Sequence, residues 1–289
     1  MGFSTDTGYF GHVSAYQPEN PLVSVTFPIH KFNEYANESL TSILNQSYKN
    51  IEVMFLDNSQ NGLQSYFDLS DKRLKYFKLP ASFGLAETLN FAIEYATGKY
   101  LARMDYDDIS ATNRICEQVK FMELNKDIAI SGTKIEIIGE SIDKNVTPGQ
   151  VVSRELIHED IIKNLSSKNA FFHPSVIFRL SEIRRHNLRY RASHDSAEDL
   201  DLWTRACRVV RLANIDLALV KYRLHPNQYS RLDGDNSNYI ANKIRLRHTI
   251  WLIESGKIQF YLGAKTVIRM FLKLMLTMLQ SRKRFKKFA

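Results

Sequence analysis

The chain has 289 residues, of which 44% are hydrophobic and 24% charged, and this composition is ordinary for a globular protein with a substantial core. Its two cysteines, Cys116 and Cys207, each fall in a predicted helix without metal-ligand spacing. This pattern indicates buried thiols in a reducing cytoplasm and argues against a disulfide framework or a zinc site.

The formal net charge of +8 belongs to the C-terminal tail. No acid follows Glu254, whereas nine Lys and Arg residues do, so the rest of the chain has 30 bases against 31 acids. The excess positive charge therefore indicates only what the tail binds, and says nothing about the partner of the rest of the chain. At the other end, residues 1–20 are polar and have no apolar core, so we interpret them as an N-terminal extension and not as a signal peptide.

The first half of the chain alternates predicted strands with predicted helices. Residues 22–27 predict a strand that ends at Pro28, and residues 51–56 predict a nearly all-apolar strand that runs into Asp57. Between them, Asn33 is expected to cap a helix whose apolar residues recur at helical spacing. Alternation of this kind predicts an α/β fold, with a mostly parallel sheet and helices on both faces.

A short strand at 74–77 and a helix opened by Gly84 and ended by Gly98 lead to a buried strand at 100–102. The chain has neither a Gly-x-Gly-x-x-Gly segment after the first strand nor a Gly-Lys-Ser/Thr loop. The dinucleotide fingerprint and the P-loop are therefore both absent. A diphosphate would therefore have to be bound in another way, and a metal ion could bind it.

Three carboxylates, Asp105, Asp107 and Asp108, follow the strand at 100–102, at the sheet edge where open α/β proteins bind ligands. Carboxylates this close repel one another unless they are solvated, protonated or bridged by a metal, and their oxygens favour Mg²⁺ or Mn²⁺ over zinc. The alternative is a turn that caps the next helix. For Asp108 we favour this capping role. The predicted members of that helix are Arg114, Ile115, Gln118, Val119 and Met122.

The pattern changes from about residue 128. The predicted elements are a strand at 130–138, a polar loop at 139–150, a helix at 155–165, a strand at 171–179 and a helix that begins at 197. Glu198 and Asp199 fall in the first turn of the last helix, where acids are favoured by the helix dipole, so capping and a functional role are both open. Trp203, one turn further, could stack on a sugar, but core packing is favoured, and a structural role is favoured for His173.

Six separated segments make the chain resemble the family 2 glycosyltransferases of the GT-A fold, the bacterial nucleotide-sugar-dependent type that builds surface polysaccharides. The segments are the first strand with Pro28; residues 42–48 with 51–52; residues 84–90; Ala102 to Asp108 with Asn113 and Arg114; His173 and Pro174 with residues 197–203; and residues 222–226. The resemblance implies a hexosyltransferase whose catalytic domain spans 21–230. In that domain, 21–110 would bind the nucleotide sugar and 111–230 the acceptor.

The resemblance assigns donor-binding roles at matching positions. Asp105-Tyr106-Asp107 corresponds to the family's DXD motif, whose second acid ligates Mn²⁺ or Mg²⁺ bridging the diphosphate. Asp107 is therefore the expected metal ligand, and His225 matches a histidine that reaches the metal or the diphosphate. Arg103 either neutralises a phosphate or pairs with Asp105. The residues expected to bind the nucleotide sugar are Pro28, Asp57, Asn58, Leu85, Arg103, Asp105 and Tyr106.

Two segments of the expected nucleoside pocket depart from the family pattern. The usual Asp-Asp-Gly-Ser is Asp57-Asn58-Ser59-Gln60 here, and the usual Pro-Thr-Tyr-Asn is Pro28-Ile29-His30-Lys31. UDP is the expected nucleotide.

The resemblance also assigns the catalytic base to Asp199, and Glu198 would hold the acceptor or position Asp199. A leaving diphosphate needs its charge neutralised, which a divalent cation does, and the acceptor hydroxyl needs a base. One base suffices for inversion, so we predict a single displacement with Asp107 and Asp199 on opposite sides of the transferred sugar.

Residues 231–289 are predicted to form an amphipathic, basic helical region. Within 258–279, Lys265, Arg269 and Lys273 recur every four residues, which a membrane-spanning helix would not tolerate but an interfacial helix would. A polybasic cluster at 282–287 would meet anionic lipids. The alternative is that the apolar face packs on the catalytic domain. We expect a cytoplasmic protein, peripheral on the inner membrane, with a lipid-linked acceptor.

Two alternative function classes make different predictions. A glycoside hydrolase also flanks a sugar with paired carboxylates, but it would act without nucleotide or divalent metal. A nucleic-acid-binding module would interleave aromatic with basic residues, whereas the tail sets its bases beside aliphatic residues. We therefore expect no nucleic acid partner.

Overall fold

The computed structural model describes residues 20–140, 147–194, 196–226, 228, 234–258, 267–269, 271 and 275. The strands are β1 (Val23–Ile29), β2 (Ile51–Asp57), β3 (Leu74–Lys78), β4 (Tyr100–Arg103), β5 (Ile109–Ser110), β6 (Ile128–Gly139), β7 (Val151–Val152), β8 (Ile177–Arg179) and β9 (Arg211–Leu224). The helices are α1 (Ala36–Leu44), α2 (Leu85–Tyr95), α3 (Arg114–Leu124), α4 (His158–Asn164), α5 (Leu180–Arg185), α6 (Glu198–Ala206) and α7 (Gly234–Glu254).

All nine strands of the described residues join one sheet, in the order β3-β2-β1-β4-β8-β6-β9-β5, with β7 paired to β6. Strands β3, β2, β1 and β4 are parallel, so their carboxyl ends meet at one edge. Beyond β4 the sheet is mixed, because β8 runs antiparallel to β4 and β6 while β9 runs parallel to β6. The predicted α/β fold is confirmed, and its parallel part is the half that carries the acidic motif.

Helices cover both faces of the sheet. One core contains the buried sides of α2, α5 and α6, and the other contains those of α1 and α3. Trp203 of α6 is fully buried in the first core, where its ring lies 4.9 Å from Phe171 and 5.9 Å from Phe178. The prediction that Trp203 packs in the core is confirmed.

The strand predicted at 171–179 is wrong over most of its length. His173–Ser175 forms a 3₁₀ turn, and β8 covers only Ile177–Arg179. Pro174 has no N–H to give to a strand ladder, and Ser175 Oγ closes the turn by donating to Phe172 O at 2.7 Å.

Two predicted caps are also wrong. Helix α1 begins after Tyr35, whose N–H donates to Asn33 Oδ1 at 3.1 Å, so Asn33 shapes the turn before the helix. Helix α3 begins after Asn113, five residues beyond Asp108, and the Asp108 carboxylate instead accepts the Arg223 N–H at 2.8 Å. The five predicted members of α3 are all buried.

The cysteines differ from each other. Cys207 is buried as predicted, just after the end of α6. Cys116 is exposed, because it lies on the outer side of α3, whose inner residues include Ile115 and Val119. The prediction of two buried thiols is therefore wrong for Cys116.

Helix α7 packs on the first core, so part of the predicted C-terminal region belongs to the body of the protein. Its Ala241 and Ile244 are buried there, Leu252 is also fully buried, and His248 Nε2 donates to Ile162 O at 2.7 Å. The predicted interfacial helix at 258–279 lies outside the described residues except at 258, 267–269, 271 and 275. Among the described helices, none has the length and apolarity needed to cross a bilayer.

Glu52 ties the amino ends of the parallel strands together. Its buried carboxylate accepts hydrogen bonds from Ser24 of β1, from Lys75 of β3, and from both the N–H and the hydroxyl of Thr97 at 2.9 Å each. Burial alone would raise the pKa of Glu52, but these donors outweigh it and lower the pKa to about 2.

Glu52→Gln is therefore expected to lower the free energy of unfolding at pH 7 by about 2 kcal/mol, because it removes the charge that the donors stabilise. A carboxylate with a lowered pKa in the folded state stabilises the protein above its unfolded pKa of 4.5 and loses that effect as the pH falls towards 2. Urea unfolding of both proteins between pH 7 and pH 3 measures the difference, which should shrink with acidification. The control is Glu254→Gln at an exposed position, where a similar pH-dependent difference would contradict the assignment.

Candidate active site

A cavity of about 650 Å³ lies at the carboxyl ends of β1, β2 and β4. Its wall includes Pro28 from β1, Asn58 after β2, and Arg103, Asp105 and Asp107 at the end of β4. The opposite wall comes from segments after β6, including Asn169 and Asp199. The cavity therefore lies where the sequence predicts a ligand, between the two halves of the chain.

The acids after β4 form a compact cluster. Asp105, Asp107 and Asp108 can each offer an oxygen such that the three atoms lie within 4.8 Å of one another. Arg103 is almost fully buried and pairs with both oxygens of Asp105, at 2.6 Å and 2.7 Å. Arg103 was predicted either to neutralise a phosphate or to pair with Asp105, and the structure shows the pairing with Asp105.

The end of β9 holds this cluster from the other side. His225 Nε2 lies 3.0 Å from Asp107 Oδ2, and Arg223 Nε donates to the backbone oxygen of Asp107 at 2.9 Å. The Arg223 N–H donates to Asp108, 115 residues away along the chain. Because β9 pairs with β5, which directly follows the acids, the sheet itself brings these segments together.

The crowding changes the acidity of the cluster. Burial and the neighbouring Asp105 raise the pKa of Asp107, which the bond from His225 partly offsets. Burial, together with Asp107 and Asp105, raises the pKa of Asp108 well above its usual range. Asp108 Oδ2 is buried without a hydrogen-bond partner among the described residues. Crowded hard-oxygen ligands of this kind fit a divalent ion such as Mg²⁺ or Mn²⁺.

Asp199 is held on the opposite wall by two hydrogen bonds. Asn169 Nδ2 donates to its Oδ2 at 2.5 Å, and the Leu200 N–H donates to its Oδ1 at 2.5 Å. Burial raises the pKa of Asp199 above the usual value, and the bonds from Asn169 and Leu200 oppose this rise. The N-cap of α6 is Ala197, so neither Asp199 nor the buried Glu198 occupies the capping position.

The predicted donor-binding residues divide into two groups. Pro28, Asn58, Leu85 and Tyr106 line the cavity. Asp57 is fully buried behind the wall, where its carboxylate accepts bonds from the N–H groups of the following loop at 2.8 Å and 2.6 Å and from the Tyr76 hydroxyl at 2.6 Å. Asp57 therefore does not line the cavity, and its carboxylate holds the loop that begins with Asn58; its predicted role in donor binding stays a prediction.

Several cavity residues carry no motif and were missed from sequence. They are Arg154, Asn169, Phe172 and Gln228. The first three lie between the recognisable motifs and Gln228 follows the last one, so only the fold brings them to the cavity. His173 also lies on the wall, but its Nε2 bonds the Tyr190 hydroxyl at 2.9 Å and burial lowers its pKa well below the usual value, which fits the structural role favoured for it.

The sequence model described as Glycosyl transferase family 2 matches residues 24–183, more than half of the chain. The chain belongs to glycosyltransferase family 2. This membership confirms the predicted family and the prediction of a transferase enzyme.

The family 2 chain has similar proteins of known name and structure. It is 32% identical over 216 residues to the O-antigen biosynthesis glycosyltransferase WbnJ of Escherichia coli, covering 71% of this chain and 80% of that protein. S. aureus TarS in complex with UDP-GlcNAc has a TM-score of 0.66 at 16% identity, over 86% of this chain and 71% of TarS. The mannosyltransferase PcManGT of Pyrobaculum calidifontis, in complex with GDP-Man and Mn²⁺, has a TM-score of 0.58 at 17% identity, over 89% and 71%. Both likenesses support the GT-A fold.

Proposed function

We propose that this family 2 transferase moves a sugar from a UDP-linked donor to a hydroxyl of a saccharide acceptor, with inversion, in the synthesis of a surface polysaccharide. The observation that carries the proposal is that Asp107 and Asp199 line one cavity from opposite walls. A single transferred sugar could therefore contact both. The name of WbnJ, an O-antigen enzyme, supports the polysaccharide role, and the UDP-GlcNAc bound to TarS supports the donor class.

The donor would bind with its nucleoside against Pro28, Asn58 and Leu85, which form the wall at the ends of β1 and β2 and the start of α2. Its diphosphate would then lie at the acid cluster. Arg103 neutralises Asp105, so the cluster has less negative charge to repel a phosphate than three free carboxylates would have.

The residues that would hold a divalent cation are Asp107 and His225, with Asp105 and Asp108 beside them. Such an ion supplies Lewis-acid stabilisation of the charge that develops on the leaving diphosphate. The Mn²⁺ in the PcManGT complex supports this part of the proposal.

Asp199 would take the proton from the acceptor hydroxyl as the hydroxyl oxygen attacks the sugar. Its raised pKa makes it a stronger base than an ordinary aspartate, and the bond from Asn169 fixes one of its oxygens. The neighbouring Glu198 would orient the acceptor. One base and one displacement give inversion at the sugar carbon.

The acceptor would be linked to a lipid, and the enzyme would meet it at the cytoplasmic face of the inner membrane. In the described part of the tail, Ile268, Phe271 and Met275 are all exposed. Their spacing of three and four residues puts them on one side of a helix, which supports contact of this side with a membrane surface.

The proposal is tested with a panel of UDP- and GDP-linked sugars, each with Mn²⁺, with Mg²⁺ and with EDTA. We expect one UDP-sugar to raise the unfolding temperature and to release UDP slowly by hydrolysis, and we expect EDTA to abolish both effects. Cleavage of simple glycosides with EDTA present, and without a nucleotide, would instead identify a hydrolase.

A further inference from the structure

Arg154 places a cation on the cavity wall, and none of the described residues forms an ion pair with it. Its guanidinium carbon lies 4.2 Å from the centre of the Phe172 ring. Its Nε is buried with no hydrogen-bond partner in the described part of the chain. The adjacent Glu155 pairs through its Oε1 with Lys168 at 2.6 Å and forms no hydrogen bond with Arg154 among the described residues.

The other arginine on the cavity wall is matched by a carboxylate, since Arg103 pairs with both oxygens of Asp105. Arg154 has no such ion pair among the described residues, and burial lowers its pKa, which the nearby Glu155 opposes. Taking a cation partly out of water without a directly bonded counter-ion costs free energy, and the contact with Phe172 offsets this cost only in part.

The contact with Phe172 also restricts where the guanidinium can lie, since its carbon sits over the ring. The planar fork of N–H donors on a guanidinium matches carboxylate and phosphate oxygens in pairs. Arg154 is partly buried and its Nε is shielded from water, so an anion bound there would meet less competition from water than at an exposed arginine.

Arg154 belongs to the half of the chain that bears the base. Phe172 is three residues beyond Asn169, the residue that holds Asp199. The negative charge of the donor diphosphate, under the proposed function, is met at the acid cluster on the other wall. An anion at Arg154 would therefore come from the acceptor.

We propose that Arg154 and Phe172 form an anion subsite that binds an oxyanion of the acceptor. This inference rests on the proposed function, since it assumes that the acceptor enters beside Asp199. The oxyanion is either the carboxylate of an acidic sugar or the phosphate that joins a saccharide to its lipid. Both would take the same pair of hydrogen bonds from the guanidinium.

The test measures binding of two anionic probes to the full chain, by saturation-transfer NMR, with UDP and Mg²⁺ present to fill the donor side. Methyl glucuronide represents the acidic sugar, with methyl glucoside as its neutral counterpart. Farnesyl diphosphate represents the lipid phosphate, with farnesol as its counterpart. We expect one anionic probe to bind at least about tenfold more tightly than its counterpart. The probe that does so identifies the source of the anion.

Arg154→Met should remove that preference, and Arg154→Lys should keep part of it because the charge remains. The matched control is Arg208→Met, since Arg208 stacks on Trp251 at 4.9 Å outside the cavity lining. Unfolding temperatures of all three variants report whether each one folds. Anion binding that is unchanged in Arg154→Met would overturn the subsite, and so would a loss of UDP binding in that variant, because Arg154 would then serve the donor. Neither result would change the outcome expected from the panel of nucleotide sugars, which tests the proposed function separately.

Discussion

Asp199→Asn is expected to reduce turnover by about 10²–10⁴-fold while UDP binding stays unchanged, because the substitution removes a base and leaves the donor wall intact. An asparagine is close in shape to the aspartate. Its oxygen can keep the bond from the Leu200 N–H, and its amide can donate to the unpartnered Oδ1 of Asn169 once the Asn169 amide flips, so the local structure should persist. Initial rates of product formation and UDP titration calorimetry measure the two effects separately.

The control for this variant is Asp201→Asn, two residues along the same helix. Asp201 pairs with Arg205 at 2.7 Å and approaches Arg191 at 3.5 Å, so its loss should lower stability and leave the turnover of the folded protein nearly unchanged. Substantial turnover by Asp199→Asn would exclude Asp199 as the base.

The pH dependence gives a second check on Asp199. A base must be deprotonated to act, and burial raises the pKa of this carboxyl. The acidic limb of kcat/KM should therefore lie above the range of an ordinary aspartate. Removing a donor to the charged form in Asn169→Ala should move that limb to still higher pH.

Asp107→Asn is expected to lower kcat/KM by about 10²-fold or more and to abolish the response to divalent metal, because it removes the central carboxylate of the acid cluster. The measurement is the shift in unfolding temperature as Mn²⁺ is added in the presence of UDP, together with the rate. The control is Asp160→Asn, at an exposed carboxylate on α4.

For the metal-free protein, the Asp107→Asn substitution is not expected to lower stability. Burial and Asp105 raise the pKa of Asp107, so its charged form costs folding free energy in the metal-free protein. Replacing it should leave the metal-free protein at least as stable as the wild type, even though the bond from His225 is altered. A metal-free variant that is much less stable, but still responds to Mn²⁺, would mean that Asp107 is structural.

The sequence predicts well those parts of the fold that are determined by residues close together in the chain. The strands before Asp57 and before Asp105 are nearly continuous apolar runs, and both are strands in the structure. The acids at the end of the second run, and those at the start of α6, come to one cavity as the family resemblance implies.

The errors arise where a distant partner or a single backbone group decides the outcome. The residues around Asp108 in the sequence indicate a helix cap. In the structure, the carboxylate of Asp108 instead accepts a hydrogen bond from the backbone N–H of Arg223, 115 residues away. The apolar run that contains Pro174 has the composition of a strand, yet the missing N–H turns it into a 3₁₀ segment. Arg154 and Asn169 carry no local signal, because their surroundings exist only after β6, β7 and α6 have assembled.

Strand β9 has a practical consequence for anyone who would dissect this enzyme. The segment matched by the family sequence model ends at residue 183, so a fragment cut there would keep Asp107 and Asp108 and lose Arg223, His225 and Asp199. Under the proposed function, that fragment would lack the catalytic base. A chimera that exchanges acceptor preference between relatives would have to carry β9 across with the donor-side acids, because Arg223 and His225 contact those acids directly.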